Sequence, residues 1–96
     1  MNIKLEFLGF PTIYDLFPEG SHDFALRGDT PAQLAEELIA RFDSRVRESL
    51  LDPGTGTIDP AIQVMVNGKL IARDDLSGWI FREGDRVTFM KLLAGG

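Results

Sequence analysis

The feature that most restricts the fold of this chain is a well-marked helix start that stands between segments of strand-like sequence. Thr30 is a favoured N-cap residue, Pro31 suits the first helical position, and Gln33 completes a capping box three residues after the cap. Beyond this start, apolar residues recur at the helical spacing, at Leu34, Ala35, Leu38, Ile39 and Phe42. The pattern predicts one amphipathic main helix, which needs an apolar surface to cover.

Four segments with the period of a half-buried β-strand surround this helix. Apolar side chains alternate with polar ones on both sides of it in the sequence. The alternating residues are Ile3, Leu5 and Phe7, then Phe24 and Leu26, then Ile62, Val64 and Val66, and finally Val87 and Phe89. Asn67-Gly68 is a strong hairpin signal, with a short return strand expected from Leu70 to Ala72. The order predicts an α+β domain in which one helix packs across a small mixed sheet.

The same alternation assigns apolar residues to the face of the sheet that lies away from the helix. If the residues named above face the helix, then Leu8, Met65, Met90 and Leu92 lie on the opposite face. We expect these side chains to form an apolar docking strip for a partner, leading towards the carboxyl end of the chain. The prediction depends on register, because a slip of one residue would move them into the core.

Length and charge exclude several classes of protein. Ninety-six residues predict a single domain over residues 1–96. A net charge of −5 without a basic block argues against nucleic acid and favours a partner with a basic surface. The absence of cysteine excludes disulfides, thiolate metal sites and cysteine nucleophiles. Because no apolar run can span a bilayer and no signal peptide is evident, we expect a cytoplasmic protein without a membrane partner.

Several other segments carry a structural and a functional interpretation. The apolar connection over residues 9–21 is either packed on its own side chains, which we favour, or a partner contact. Adjacent Glu36 and Glu37 diverge around a helix and are expected on a solvated face. Asp74-Asp75 is expected to cap a helical turn, and His22 to be a solvated edge residue. We expect no metal site and no catalytic residue.

The chain ends in Leu92-Leu93-Ala94-Gly95-Gly96, after a last strand predicted to stop near Met90. Glycine lacks a Cβ, so two in succession allow a narrow channel to close around the backbone. We expect a flexible tail over about residues 91–96 that offers the α-carboxylate of Gly96 to a partner. The structural alternative is a frayed end.

The order of the motifs resembles a known family. Val66-Asn67-Gly68, Glu83-Gly84-Asp85-Arg86-Val87 and Leu93-Ala94-Gly95-Gly96 are similar to motifs in prokaryotic sulfur carriers of the MoaD and ThiS type. The resemblance implies a ubiquitin-like β-grasp fold, with a mixed sheet of about four to five strands and one main helix on one face. It also implies that the chain is a carrier and not an enzyme.

In that family, the resemblance implies, an adenylyltransferase related to ubiquitin-activating enzymes adenylates the terminal carboxylate. Sulfur then replaces AMP to leave a thiocarboxylate, which a sulfur-accepting synthase consumes. Carried over, Gly96 is the acceptor, and Gly95, Ala94, Leu93 and Leu92 are recognised by the partner. No cofactor is bound by the carrier, since ATP and the sulfur donor are used through the partner enzyme.

The receiving pathway stays open at this point. The segment from Phe89 to Leu93 lacks a proline pair and is similar to the thiamin type. The length and the connections over residues 9–21 and 52–59 are similar to the molybdopterin type, in which such a chain is the small subunit of a molybdopterin-synthase-like complex. Two further alternatives are a protein modifier joined to lysine through Gly96 and a β-grasp binding module with an incidental tail.

Overall fold

One five-stranded sheet brings the beginning and the carboxyl-terminal part of the chain together. The protein is represented by a computed structural model, which describes residues 1–91. The strands are β1 (Asn2–Leu8), β2 (His22–Ala25), β3 (Ile62–Val66), β4 (Lys69–Leu70) and β5 (Arg86–Lys91). Their spatial order is β2-β1-β5-β3-β4. The pair β1 and β5 is parallel, and the other neighbours are antiparallel.

Helices pack on one face of this sheet. They are α1 (Pro31–Arg41), α2 (Ser44–Leu50), the short α3 (Arg73–Leu76) and a 3-10 turn at Pro11–Ile13. The predicted α+β arrangement with a main helix on one face of a mixed sheet is confirmed. The sequence pattern predicts one main helix, and the second helix, α2, buries Val46 and Leu50 against the same core. Among residues 1–91, no helix has the length and apolar character needed to cross a membrane.

The start of α1 is the predicted capping box. Thr30 Oγ1 accepts a hydrogen bond from the Gln33 N–H at 3.2 Å, and Gln33 Oε1 accepts from the Thr30 N–H at 3.3 Å. The two bonds satisfy N–H groups that a helix leaves without an intrahelical partner. Leu34 and Leu38, at the positions that face the sheet, have no exposed surface.

The register of the sheet agrees with the predicted faces. All ten residues assigned to the helix side are buried: Ile3, Leu5, Phe7, Phe24, Leu26, Ile62, Val64, Val66, Val87 and Phe89. Phe7 and Phe89 are paired across β1 and β5, and their rings stack with centroids 5.4 Å apart. The central strands therefore hold the core together at the point where the first and last strands meet.

The apolar connection over residues 9–21 packs into the core of the domain, and not only on its own side chains as the favoured interpretation has it. Phe10, Ile13 and Phe17 are buried, and the Phe17 ring contacts both Phe7 and Phe42. Polar contacts fasten the segment to α2, because Arg45 donates to Asp15 Oδ1 at 2.9 Å. The connection is thus an extension of the core.

Several details differ from the sequence-based expectations. The return strand β4 ends at Leu70, and Ala72 is already the N-cap of α3, so Asp74 and Asp75 lie in the first turn and do not cap it. In the irregular segment before β5, Phe81 is buried and Trp79 packs against the core from a half-buried position, whereas Ile80 between them is 57% exposed. Glu37 is not a freely solvated residue, as described below. His22 is half-buried, with Nε2 2.6 Å from the Pro18 carbonyl oxygen.

Candidate functional site

Strand β5 is the middle strand of the five-stranded sheet. It pairs with β1 on one side and β3 on the other, and its last residue, Lys91, is the register partner of Ile62. Position 91 therefore belongs to the strand and not to the predicted tail. The other predicted tail residues, Leu92, Leu93, Ala94, Gly95 and Gly96, lie outside the described residues.

The end of β5 is held from two directions. On the β1 side, Gly9 has a φ of +84° and lies directly against the Lys91 carbonyl group. On the other side, Lys91 Nζ lies 3.7 Å from Asp59 Oδ2. The position of Lys91, the last residue of β5, is therefore defined by close backbone packing and an ion pair.

The three predicted docking residues lie on the face of the sheet that the helices leave open. Leu8 of β1 is the register partner of Met90 of β5, and Met65 of β3 is the partner of Thr88. Leu8 is 38% exposed, while Met65 and Met90 are half-buried. Their shared face agrees with the sequence-based assignment. Their role in docking stays a prediction.

Two residues of this face were missed from the sequence. Leu70 of β4 is paired with Met65 and is 59% exposed, so it extends the apolar surface to the edge of the sheet. Thr88 lies between Glu6 and Met65, is only 6% exposed, and donates to Glu6 Oε1 at 3.3 Å. The pattern of alternation contained both positions, but only the strand order shows which residues are neighbours.

The open sheet face, as we call the surface formed by Leu8, Met65, Leu70 and Met90, has charged groups near one end. Lys4 forms an ion pair with Asp23 of β2, and Arg86 of β5 is the register partner of Lys4. These groups lie at the beginning of β5, whereas Leu8 and Met90 lie near its end. The apolar pair of Leu8 and Met90 therefore lies close to Lys91, the last residue of β5.

The beginning of β5 is fixed by two of the three motifs that carried the family resemblance. Asn67 Nδ2 donates to Asp85 Oδ1 at 3.0 Å, and the Arg86 N–H donates to Asn67 Oδ1 at 2.9 Å. The Glu83 carboxylate accepts from the Asn2 N–H at 3.1 Å. The residues of these two motifs therefore set the position of β5.

The perturbed carboxylates support the fold, away from the open sheet face. Burial of Glu37 opposes its ionisation, but hydrogen bonds from the Gly28 and Arg27 N–H groups and the charge of Arg41 outweigh it, so its pKa lies below the usual value. Hydrogen bonds from Arg45 lower the pKa of Asp43. Within residues 1–91, no group of three or more histidine, aspartate or glutamate side chains is arranged to hold a metal ion.

Solved structures with the same fold include proteins from archaea and from a protozoan. The chain aligns with small archaeal modifier protein 1 of Haloferax volcanii at 15% identity and a TM-score of 0.70, covering 96% of this chain and 98% of that one. The HVO 2177 protein of Haloferax volcanii gives 22% identity and a TM-score of 0.74, over 100% and 87% of the two chains. Urm1 from Trypanosoma brucei gives 24% identity and a TM-score of 0.69, over 99% and 95%.

These alignments span nearly the whole of both chains at low sequence identity. No protein-family model and no curated protein matches the sequence. The predicted ubiquitin-like β-grasp architecture is confirmed, with five strands in the mixed sheet. The chain is similar in fold to a protein named as a modifier and to Urm1.

Proposed function

We propose that this protein is a sulfur carrier whose Gly96 α-carboxylate is adenylated and converted to a thiocarboxylate. The activating partner is an adenylyltransferase of the ubiquitin-activating type, and the sulfur passes to a synthase of cofactor biosynthesis in the cytoplasm. The carrier binds no cofactor of its own, since ATP and the sulfur donor enter through the partner. The proposal takes Gly96 as the mature carboxyl terminus, which the intact mass of the native protein tests.

One observation carries the proposal. On a β-grasp scaffold, the central strand β5 ends at Lys91, and the sequence after it is a short apolar pair, Leu92-Leu93, followed by Ala94 and two glycines. Leu8 and Met90, in the apolar part of the open sheet face, lie next to Lys91. A partner that docks on Leu8 and Met90 is therefore close to the residues that lead to Gly96.

The chemistry needs a partner because a carboxylate is a poor electrophile at neutral pH. Attack of a Gly96 carboxylate oxygen on the α-phosphorus of ATP forms the acyl adenylate and releases pyrophosphate. A sulfide equivalent then adds to the acyl carbon, and the C–O bond to AMP breaks. The products are a thiocarboxylate and AMP. This route uses no acid, base or nucleophile from the carrier beyond its own terminal carboxylate.

Intact-mass measurement tests the proposal directly. The purified chain is incubated with ATP, the purified adenylyltransferase of its source organism and a sulfur donor. We expect a mass increase that corresponds to exchange of one oxygen for one sulfur, and no increase when ATP is left out. An unchanged mass, with an enzyme shown to bind the chain and to hydrolyse ATP, would contradict carrier chemistry.

A second candidate function is that of a protein modifier joined to lysine through Gly96. It is favoured by the similarity in fold to small archaeal modifier protein 1. Both functions share the acyl adenylate and differ in the final acceptor. Digests of cells that express a Gly96-terminated, tagged chain would contain lysine peptides with a carboxyl-terminal remnant of this protein if it is a modifier. Their absence, together with a detected thiocarboxylate, would support the carrier alone.

A further inference from the structure

Gly9 differs from the other described glycines that have a left-handed backbone. Gly9, Gly20, Gly56, Gly68 and Gly84 all have positive φ values, between +73° and +105°. At Gly20, Gly56, Gly68 and Gly84, an added Cβ would meet no atom within 4 Å. At Gly9 it would overlap the Lys91 carbonyl oxygen and lie 3.2 Å from the Lys91 carbonyl carbon. Glycine is thus required at position 9 for two reasons: the left-handed backbone and the close approach of β5.

The neighbour that fills this space is backbone, so it cannot move aside by changing a rotamer. Gly9 directly follows Leu8, the last β1 residue paired with β5 through Met90. Lys91 is also held by pairing with Ile62 and by the ion pair with Asp59. Any side chain at position 9 would have to push the end of β5 away from β1.

We propose that Gly9 is a positioning residue for activation of the carboxyl terminus, through its packing against the Lys91 carbonyl. This inference rests on the proposed function. Residues 92–96 reach at most about 17 Å beyond Lys91 when extended, so a partner docked on the open sheet face receives Gly96 only within a limited volume. The contact of Gly9 with the Lys91 carbonyl group fixes the position of Lys91, from which this distance is measured. Gly96 and ATP react only when they are held close together, so a displaced Lys91 lowers the fraction of docked chains in which Gly96 reaches the reactive position.

The test compares Gly9→Ala with Gly56→Ala in ATP–pyrophosphate exchange with the purified adenylyltransferase of the source organism. Both variants force an alanine into a left-handed backbone, but only the first displaces Lys91. For Gly9→Ala we expect kcat to fall about 10- to 100-fold and KM to change by a smaller factor, because Met65 and Leu70 of the docking face lie away from the displaced end of β5. Gly56→Ala should retain the wild-type kcat.

A lengthened tail separates positioning from general destabilisation. Insertion of one glycine after Lys91 adds length, so that the terminal glycine can reach the partner's active site even when Lys91 is displaced. It should therefore restore part of the kcat of Gly9→Ala without raising its melting temperature. A purely structural role for Gly9 predicts no rescue. Circular dichroism at the assay temperature shows whether each variant is folded.

A milder variant covers the case in which Gly9→Ala does not fold. Asp59→Asn removes the ion pair with Lys91 but keeps an oxygen that can accept from the Ala61 N–H, which Asp59 Oδ1 does at 2.8 Å. We expect kcat to fall about two-fold, in keeping with a half-exposed pair. The inference is overturned if Asp59→Asn leaves kcat unchanged, or if a folded Gly9→Ala matches Gly56→Ala. If the wild-type chain supports no exchange at all, the proposed function fails and the inference fails with it.

Discussion

Asn67 and Asp85 are joined by a side-chain hydrogen bond of 3.0 Å that connects the β3–β4 hairpin to the turn before β5. Asn67 also has a φ of +53°, the only positive value among the non-glycine residues that the structure describes. With Gly68 at +82°, both central turn residues have the left-handed backbone of a type I′ turn. Asparagine tolerates this backbone and supplies the side chain that binds β5.

Substitutions at Asn67 separate these two contributions. Asn67→Ala loses both side-chain hydrogen bonds. It also places at positive φ an alanine, whose side chain cannot form a hydrogen bond with the local backbone. We therefore expect a loss of about 2–3 kcal/mol in unfolding free energy. Asn67→Gly loses the same bonds but relieves the backbone, and should lose about 1 kcal/mol less. Urea unfolding followed by circular dichroism measures both. Equal losses would show that the backbone conformation contributes nothing.

Glu37→Gln tests the carboxylate that links α1 to the segment before it. Glu37 accepts from the Arg27 and Gly28 N–H groups at 2.8 Å and pairs with Arg41 at 3.0 Å. We expect a loss of about 1–2 kcal/mol at pH 7, since hydrogen bonds to a charged acceptor are stronger than neutral ones. Glu36→Gln, at the exposed neighbouring position, is the matched control and should change stability by less than about 0.5 kcal/mol.

The Glu37 contribution also predicts a pH dependence. Its pKa in the folded protein lies below the ordinary value of 4.5, so the folded state binds the proton less tightly than the unfolded chain does. The stability gained from Glu37 is therefore present above pH 4.5 and is lost as the pH falls through the folded pKa. The difference in unfolding free energy between wild type and Glu37→Gln should be constant from pH 7 to about 5.5 and shrink below about 4.5. A difference that grows on acidification would contradict this assignment.

Leu8→Glu tests docking on the open sheet face. Leu8 is 38% exposed beside Met90, so a carboxylate there is solvated and the fold should persist. We expect binding to the purified adenylyltransferase to weaken about ten-fold or more, because a charge replaces apolar contact area in the part of the predicted interface next to Lys91. Tyr14→Glu is the control, since Tyr14 is 47% exposed and lies outside the sheet. Equal weakening by both variants in calorimetry would indicate a non-specific charge effect.

Removal of Gly95 and Gly96 distinguishes carboxyl-terminal chemistry from a plain binding module. The core residues that the structure describes all precede Met90, and neither glycine has a side chain, so we expect the truncated chain to unfold within about 0.5 kcal/mol of wild type. It should support no pyrophosphate exchange and form no thiocarboxylate, while still binding the adenylyltransferase through the open sheet face. Retained function of the truncated chain in cells that lack the wild-type copy would favour a binding module.

Local patterns were sufficient for much of the fold. The capping box of Thr30 and Gln33 was predicted because its partners are three residues apart, and the buried faces followed from strict alternation in Ile3, Leu5 and Phe7. The Asn67-Gly68 turn was likewise determined by its own backbone requirements. In each case the atoms that interact are close in sequence, so the interaction can be read without the rest of the molecule.

Contacts between distant segments were the ones that sequence reasoning missed. Glu37 was placed on a solvated face because helical spacing does not reveal that the Arg27 and Gly28 N–H groups need an acceptor at that point. Leu70 was taken only as part of a return strand because its exposure depends on the order of strands in the sheet. The close approach of Gly9 to Lys91 joins residues more than eighty positions apart, and no local pattern marks it.

The sequence by itself determined where the helix and strands form, which side of each strand is buried, and the Gly95-Gly96 pair on which the proposed chemistry depends. Only the tertiary structure decided that β5 lies between β1 and β3, that Leu8, Met65, Leu70 and Met90 share one open face, and that Gly9 packs against the Lys91 carbonyl group. The physical reason is that backbone propensity and side-chain periodicity act over a few residues. Strand order and close backbone packing arise only when the whole chain has buried its apolar surface.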